Sequence, residues 1–466
     1  MGRVVFKTVE SDIDAGTHDE RLYDKALHPW RSKLRRWLTP LVRAETPYIA
    51  KLQSTIRTPV LDYYFLWTAN LGTHTFFMIF LPILIWFENQ HSKGIVCMAA
   101  FGVFTSGFVK DFMCLPRPLS PPVHRLSMSS STSLEYGFPS THSTNSISAA
   151  LFMISVACES YSPDSPLRVV CIIGAFFYAV SIVFGRIYCG MHSVTDVVGG
   201  AILAYILYWV QWNFRYEFND IFLNDSIVPI IFIVLGCLGL ISIHPDPIER
   251  CPCFEDSVCF MAVLIGVFPG SWLCQHSDYC QLGQQTLALT QSTLPVAAFI
   301  VISKLILGVA VLFLWRIVVK KICYFILPPI YRAFNLPHRK FEIGARTYKS
   351  LNRESIHPIP SVLDLRHLAG TVAGAEHVGI QSDIDLHEKA AFDKHQKQQE
   401  FKHRGSQKET TVETPNVYDP TTLLVAEDAP LRYDVDIVTK LIVYAGIGFL
   451  AVCPVIMLFQ FCGLSS

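Results

Sequence analysis

A chain of 466 residues in which 51% are hydrophobic and only 16% charged, with a mean hydropathy of +0.36, does not read as a soluble multidomain enzyme and points to a bilayer protein. Its 38 basic residues balance its 38 acidic ones, so no overall charge invites a nucleic acid, and electrostatic meaning has to come from local clusters.

In chain order, a polar segment over residues 1–60 comes first, without the short apolar stretch and cleavage site of a signal peptide. It ends in a basic run of Arg31, Lys33, Arg35, Arg36, Arg43, Lys51 and Arg57, which reads as an anchor to anionic lipid. A helix needs about 20 apolar residues to cross the hydrocarbon core, and eight or nine stretches qualify. They lie near 64–87, 94–114, 146–159, 168–185, 194–213, 227–244, 258–274, 295–319 and 437–462, the third being short unless its polar start is included. Residues 336–436 are polar and rich in Gln, Lys, Glu and His, which predicts a flexible loop. Its histidines, among them His377, His387, His395 and His403, are too scattered for a standard metal site. The predicted organisation is therefore a polar segment (1–60), a catalytic transmembrane core (61–215), further transmembrane helices (216–335), the loop (336–436) and a last transmembrane helix (437–466). The expected fold class is an all-α polytopic bundle. Most of the 14 cysteines sit in apolar runs as small hydrophobes. Cys251, Cys253, Cys259, Cys274 and Cys280 fit no standard zinc spacing, and packing or free thiols are favoured there over a disulfide.

Ionisable groups beside membrane helices are costly, so three clusters stand out. Lys110 and Arg117-Pro118 end the second span, Pro139-Ser140-Thr141-His142 opens the third, and Arg186, His192 and Asp196 lie between the fourth and fifth. Counting crossings returns all three to one side of the membrane. Lys110, Arg117 and Arg186 outnumber the adjacent carboxylate Asp111, an excess suited to a dianionic phosphate. Ser140 and Thr141 begin a helix, whose unpaired N–H groups and dipole favour an anion. His192 and Asp196 stand four apart, so the carboxylate can fix the imidazole tautomer and leave the opposite nitrogen free to attack phosphorus. In-line attack needs a proton-carrying group on the far side, and His142 is the candidate. Read singly, each cluster has a plain structural account as a snorkelling pair, a helix cap or an intramembrane hydrogen bond. Their order and common side favour the chemical one.

These clusters resemble the signature of the type 2 phosphatidic acid phosphatase superfamily, K-x6-RP, PSGH and SR-x5-H-x3-D. Thr141 stands for the usual Gly, and Gly185 for the usual Ser. The PSTH variant, the RPLSPPVHRL stretch and the RIYCGMHSVTDVVGG stretch are similar to the sphingosine-1-phosphate phosphatase branch, with the fungal long-chain base 1-phosphate phosphatases as the group of greatest resemblance. The resemblance implies His192 as nucleophile, Asp196 as its orienting partner, His142 as proton donor, and Lys110, Arg117, Arg186 and Ser140 as phosphate ligands, with no metal and no cofactor. Thr141 is added to the phosphate ligands as a donor that could replace the missing serine, whose loss predicts reduced rather than abolished activity. The implied activity is dephosphorylation of sphingoid base 1-phosphates (dihydrosphingosine, phytosphingosine or sphingosine 1-phosphate) through a phosphohistidine. The implied place is the endoplasmic reticulum membrane with the site facing the lumen, although the basic segments before residue 60 and after residue 319 read as cytoplasmic. The partner is a membrane lipid; protein partners are not legible. Alternatives are a broad-specificity lipid phosphate or polyprenyl diphosphate phosphatase, and a non-catalytic anionic-lipid transporter or scaffold.

Overall fold

The computed structural model describes residues 14–69, 71, 74–87, 91–127, 134–246, 248, 251–280, 294–334 and 433–464. The α-helices among them are α1 (Glu20–Ala26), α2 (Pro29–Ile56), α3 (Pro59–Ala69), α4 (His74–Phe87), α5 (Ser92–Met113), α6 (Thr141–Ser160), α7 (Pro166–Tyr188), α8 (Val194–Asn213), α9 (Arg215–Leu223), α10 (Val228–Ile243), α11 (Cys253–Gln275), α12 (Leu294–Ala333), α13 (Val435–Val452) and α14 (Pro454–Phe461), and no strand occurs among the described residues. The chain is an all-α membrane bundle. Among the described residues, six helical stretches are long and apolar enough to cross a bilayer, or seven if the bent pair α9–α10 counts as one span. The loop predicted at 336–436 lies almost wholly outside the described residues, as do its histidines, Arg339 and Lys340.

Local sequence sets the helix ends nearest the site. Ser140 caps α6, its hydroxyl accepting the Ser143 N–H at 3.3 Å, so the polar start of the third predicted span is inside the helix. Ser193 caps α8 in a reciprocal box with Asp196. The last turn of α5 stops at Cys114, whose φ of 50° is left-handed.

The helices run alternately between two ends of the bundle. At one end, the C-termini of α5 and α7 meet the N-termini of α6 and α8, and His244 at the end of α10 lies 3.8 Å from Asp111 of α5. The start of α11 joins that end, where Glu255 pairs with Lys440 of α13. So does the close of α12, whose Tyr331 hydroxyl donates to the Tyr433 carbonyl at 2.6 Å. At the opposite end, Arg215 meets Glu159 at the foot of α6, and Trp272 of α11 donates to the Asn224 carbonyl at 2.9 Å. A main core lies among α4, α5, α11 and α13, built from residues such as Phe77, Phe104, Met261, Leu264 and Ile447. Outward faces of α7 and α8 remain apolar, with Ile173, Phe176, Phe177, Ile202 and Trp209 exposed, as a lipid-facing surface requires.

Three sequence expectations change here. The basic segment before the first span is not simply a membrane tether: α2 lies across the end of the bundle that gathers the polar clusters. Arg31 donates to the Phe112 carbonyl (Nε at 3.0 Å, Nη2 at 2.6 Å) and to that of Asp111 at 3.2 Å, and Arg35 to those of Cys114 at 3.0 Å and Gly16 at 2.7 Å. These guanidiniums satisfy carbonyls at and just beyond the C-terminus of α5, where cations are favoured. Secondly, the helix predicted to end near 319 runs on as α12 to Ala333. Thirdly, Cys274 and Cys280 are joined as a disulfide, as are Cys251 and Cys253, whereas Cys259 stays a buried free thiol.

Candidate active site

Four helix ends carry the predicted residues to one place. Lys110 sits in the last turn of α5, Ser140, Thr141 and His142 at the start of α6, Arg186 in the last turn of α7, and Asp196 in the first turn of α8. The α7–α8 turn supplies His192. It contains Gly190 at φ 66°, where an added Cβ would also sit 2.4 Å from Val123, so only glycine fits this tight turn without strain.

Arg117 is the hub. One Nη1 proton goes to the Met191 carbonyl at 2.7 Å, and the same nitrogen stands 3.3 Å from His192 Nε2. Nδ1, on the other side of that ring, lies 3.5 Å from Asp196 Oδ2, an oxygen whose hydrogen bond comes from the Ser193 N–H at 2.8 Å. The tautomer that fits donates from Nδ1 toward the carboxylate and leaves Nε2 with a lone pair facing the cations. His192 is 2% exposed, and burial, followed by Arg117, Lys110 and Arg186, holds its pKa well below the usual 6.5, so the ring is neutral.

The second cluster is tied to the third by the backbone: the Ser140 N–H donates to the Asp196 carbonyl at 3.0 Å. The Ser140 hydroxyl accepts from Ser143 N and Ser143 Oγ, leaving its own proton to give. Thr141 Oγ1 accepts from Ser106 of α5 at 2.9 Å, so its hydroxyl is partly engaged. Arg186 is buried, and its Nε has no hydrogen-bond partner, which leaves a cation available to an anion. His142 feels the charges of Lys110, Arg117, Arg186 and Glu135, and in turn acts on His192.

Two residues alter the charge pattern expected from sequence. Asp111 does not face the phosphate cations: it is fully buried, turned toward His244, and clustered with the sulfurs of Cys251 and Cys253 within 4.8 Å. The carboxylate that does face them is Glu135, which the sequence reading missed. It pairs with Lys110 through Oε1 and with Arg117 Nη2 through Oε2 at 2.7 Å, and its carbonyl accepts from Arg117 Nε at 2.9 Å. Burial works to raise its pKa, but Lys110 and Arg117 prevail and draw it down to about 2. One signal was present in the sequence: Glu135 is the only acidic residue between Arg117 and Pro139.

Gly185 also changes meaning. A Cβ there would stand 2.9 Å from Phe65 Cδ1 of α3, so the position packs α3 against α7. A serine at this position would have to crowd Phe65 before its hydroxyl could reach an anion.

Residues 93–220 match the PAP2 superfamily. A dihydrosphingosine 1-phosphate phosphatase of Schizosaccharomyces pombe is 33% identical over 425 residues, covering 90% of this chain and 88% of that one. The chain belongs to the PAP2 superfamily. A second dihydrosphingosine 1-phosphate phosphatase, from Saccharomyces cerevisiae, is 30% identical over 323 residues, or 67% of this chain and 76% of its own. Sphingosine-1-phosphate phosphatase 2 of Homo sapiens is 24% identical over 315 residues, with coverages of 66% and 75%. No solved structure matches the chain. Within the PAP2 region fall Lys110, Arg117, Glu135, Ser140, Thr141, His142, Arg186, His192 and Asp196, and the apolar helices make this family member an integral membrane phosphatase.

Proposed function

We propose that this chain removes the phosphate from sphingoid base 1-phosphates such as dihydrosphingosine, phytosphingosine or sphingosine 1-phosphate. The observation that carries the reading is His192 itself: a neutral buried imidazole held between Asp196 at 3.5 Å and a guanidinium at 3.3 Å, with the cations Lys110 and Arg186 alongside. The names of the relatives support the substrate class.

In the first step Nε2 of His192 attacks phosphorus and the bond from phosphorus to the ester oxygen breaks, while His142, in the imidazolium form that the entering phosphate dianion and Glu135 favour over the surrounding cations, gives a proton to the departing alkoxide. Asp196 steadies the imidazolium character that develops at Nδ1. Lys110, Arg117, Arg186, the Ser140 hydroxyl, and Thr141 at the opening turn of α6 hold the phosphoryl oxygens. In the second step His142 takes a proton from water, the oxygen attacks phosphorus, and the P–N bond breaks to free phosphate and His192. No step uses a metal or a cofactor.

The catalytic unit is proposed to span 61–215, followed by supporting helices over 216–335, the polar segment over 336–436 and a final crossing over 437–466. The segment 1–60 is proposed to strap the site through α2. We place the protein in the endoplasmic reticulum membrane with its site in the lumen. The cytoplasmic reading of the N-terminal arginines loses weight because Arg31, Arg35, Arg36 and Arg57 have internal partners.

The deciding experiment is phosphate release by purified protein from dihydrosphingosine 1-phosphate and from phosphatidate, in excess chelator, comparing wild type with His192→Ala. Release from the sphingoid substrate, absent in the variant, supports the proposal; equal release from both lipids moves it to a broad-specificity phosphatase. Denaturation in mid-turnover should trap an acid-labile, base-stable phosphoprotein in wild type alone.

A further inference from the structure

The site contains one charged group that hydrolysis of a bare phosphate does not call for. Lys110 and Arg117, each nearly inaccessible at 1% and 2% exposure, face the carboxylate of Glu135. Placing an anion there weakens the pull of those two cations on phosphate, so a site evolved only to grip phosphate would do better without it. Glu135 is also more open than its partners, with 27% of its side chain exposed, so it can be reached from outside. Its charge also acts on His142, the group proposed to protonate the leaving oxygen.

A sphingoid base 1-phosphate brings a charge that phosphatidate lacks: an ammonium on the carbon next to the one bearing the ester oxygen. When phosphate enters, Lys110 and Arg117 turn to its oxygens and the Glu135 carboxylate loses part of its compensation. A carboxylate in a poorly hydrated site is costly unless another cation replaces those it has shared. The substrate ammonium, beside the leaving oxygen and beside His142, is that cation. We infer that Glu135 forms an ammonium subsite next to the phosphate cradle, through which this site takes amino-lipid phosphates in preference to amine-free ones. The inference rests on the sphingoid base reading above and adds to it the group that reads the amine. Exchange of partners keeps every charge matched: the cations pass from carboxylate to phosphate, and the carboxylate passes from the cations to the ammonium.

The test compares dihydrosphingosine 1-phosphate with its N-acetyl derivative, which keeps the chain and phosphate and loses the positive charge. One charge-assisted pair corresponds to a preference of about 10- to 100-fold in kcat/KM for the free amine in wild type. In Glu135→Gln that ratio should collapse to within about threefold, while Glu135→Asp, which retains the carboxylate, keeps most of it. A second arm needs no variant: raising the pH through the range where an aliphatic amine loses its proton, about 8 to 10, should depress turnover of the free amine and not of the N-acetyl lipid. A wild-type ratio near one, or a Glu135→Gln loss falling equally on both lipids, overturns the ammonium subsite and leaves the phosphatase reading intact. Failure of wild type to hydrolyse either lipid, in folded protein, sinks the phosphatase reading and the subsite with it.

Discussion

Restoring the family serine at position 185 separates two accounts of this site. If Gly185 were a vacant phosphate donor, Gly185→Ser would add a hydrogen bond to a charged oxygen, about 1.5 to 3 kcal/mol, and raise kcat/KM by roughly 10- to 150-fold. The structure gives the opposite expectation. The new Cβ would stand 2.9 Å from Phe65 Cδ1 and 3.6 Å from Cε1 and Cγ, so the nearest approach is about half an ångström inside ordinary contact. Phe65 has little room to yield, since its ring lies 4.6 Å from Tyr188, 5.0 Å from Tyr64 and 5.6 Å from Phe184, centroid to centroid, with 6% of the residue exposed. Overpacking of this kind costs about 1 to 3 kcal/mol. Because Tyr188 lies just before the His192 turn, the displacement should also lower activity. The assay is thermal unfolding in detergent together with kcat/KM, run on Gly185→Ser, Phe65→Leu and the pair. The double variant should recover stability relative to Gly185→Ser, giving a favourable coupling of about 1 kcal/mol. A single variant that is faster than wild type and equally stable would refute the reasoning, because the hydroxyl would then be reaching phosphate.

Arg35→Ala should destabilise by about 3 kcal/mol, since two buried carbonyls lose a charged donor, whereas the exposed Lys33→Ala should change stability by less than about 0.5 kcal/mol; equal melting temperatures would mean that α2 is only loosely applied. Acid should weaken the fold in two ways that share a sign. His192 has a folded pKa below its unfolded 6.5, so protonation of the unfolded chain costs stability as pH falls below 6.5; Glu135, lowered from 4.5 to about 2, holds its contribution above pH 4.5 and loses it toward 2. Melting temperatures between pH 7 and 4 test that fall, and the acid limb of kcat/KM assigned to His192 should appear below pH 6.5; a limb at or above 7 would contradict the neutral, buried nucleophile. Vanadate should inhibit by occupying the cradle in the geometry of in-line attack, and chelators should leave turnover unchanged; magnesium-reversible inhibition by a chelator would argue for a metal step. A glycosylation acceptor inserted between α12 and α13, whose facing ends lie on the same side as the site, should be modified if that side is luminal, and an unmodified product would place it in the cytoplasm.

What could be read from sequence was whatever depends on local pattern. Apolar runs of bilayer length gave the bundle, Ser140 and Ser193 marked helix starts, and the four-residue step from His192 to Asp196 put imidazole and carboxylate on one face. The parity of crossings was enough to bring Lys110, Arg117, His142 and His192 together, because a helix that spans a membrane can end only on one side or the other.

The remaining features depend on contacts between segments far apart in the chain, which periodicity does not encode. Nothing in a basic run distinguishes arginines that meet lipid from Arg31 and Arg35, which cap carbonyls about 80 residues away. Asp111 adjoins Lys110 in sequence but leaves α5 in a different direction, toward His244, while Glu135, five residues before the Ser140 cap of α6, faces both cations. Gly185 acquires its meaning only from Phe65, on a helix that precedes it by more than a hundred residues. Sequence alone determined the membrane class and the all-α bundle and pointed to the candidate reacting groups, since apolar length and spacing along each element carry that much. Only the tertiary structure decided which charge faces which, because direction around a helix and the approach of distant loops fix that, and in a poorly hydrated site the charge that faces inward governs the chemistry.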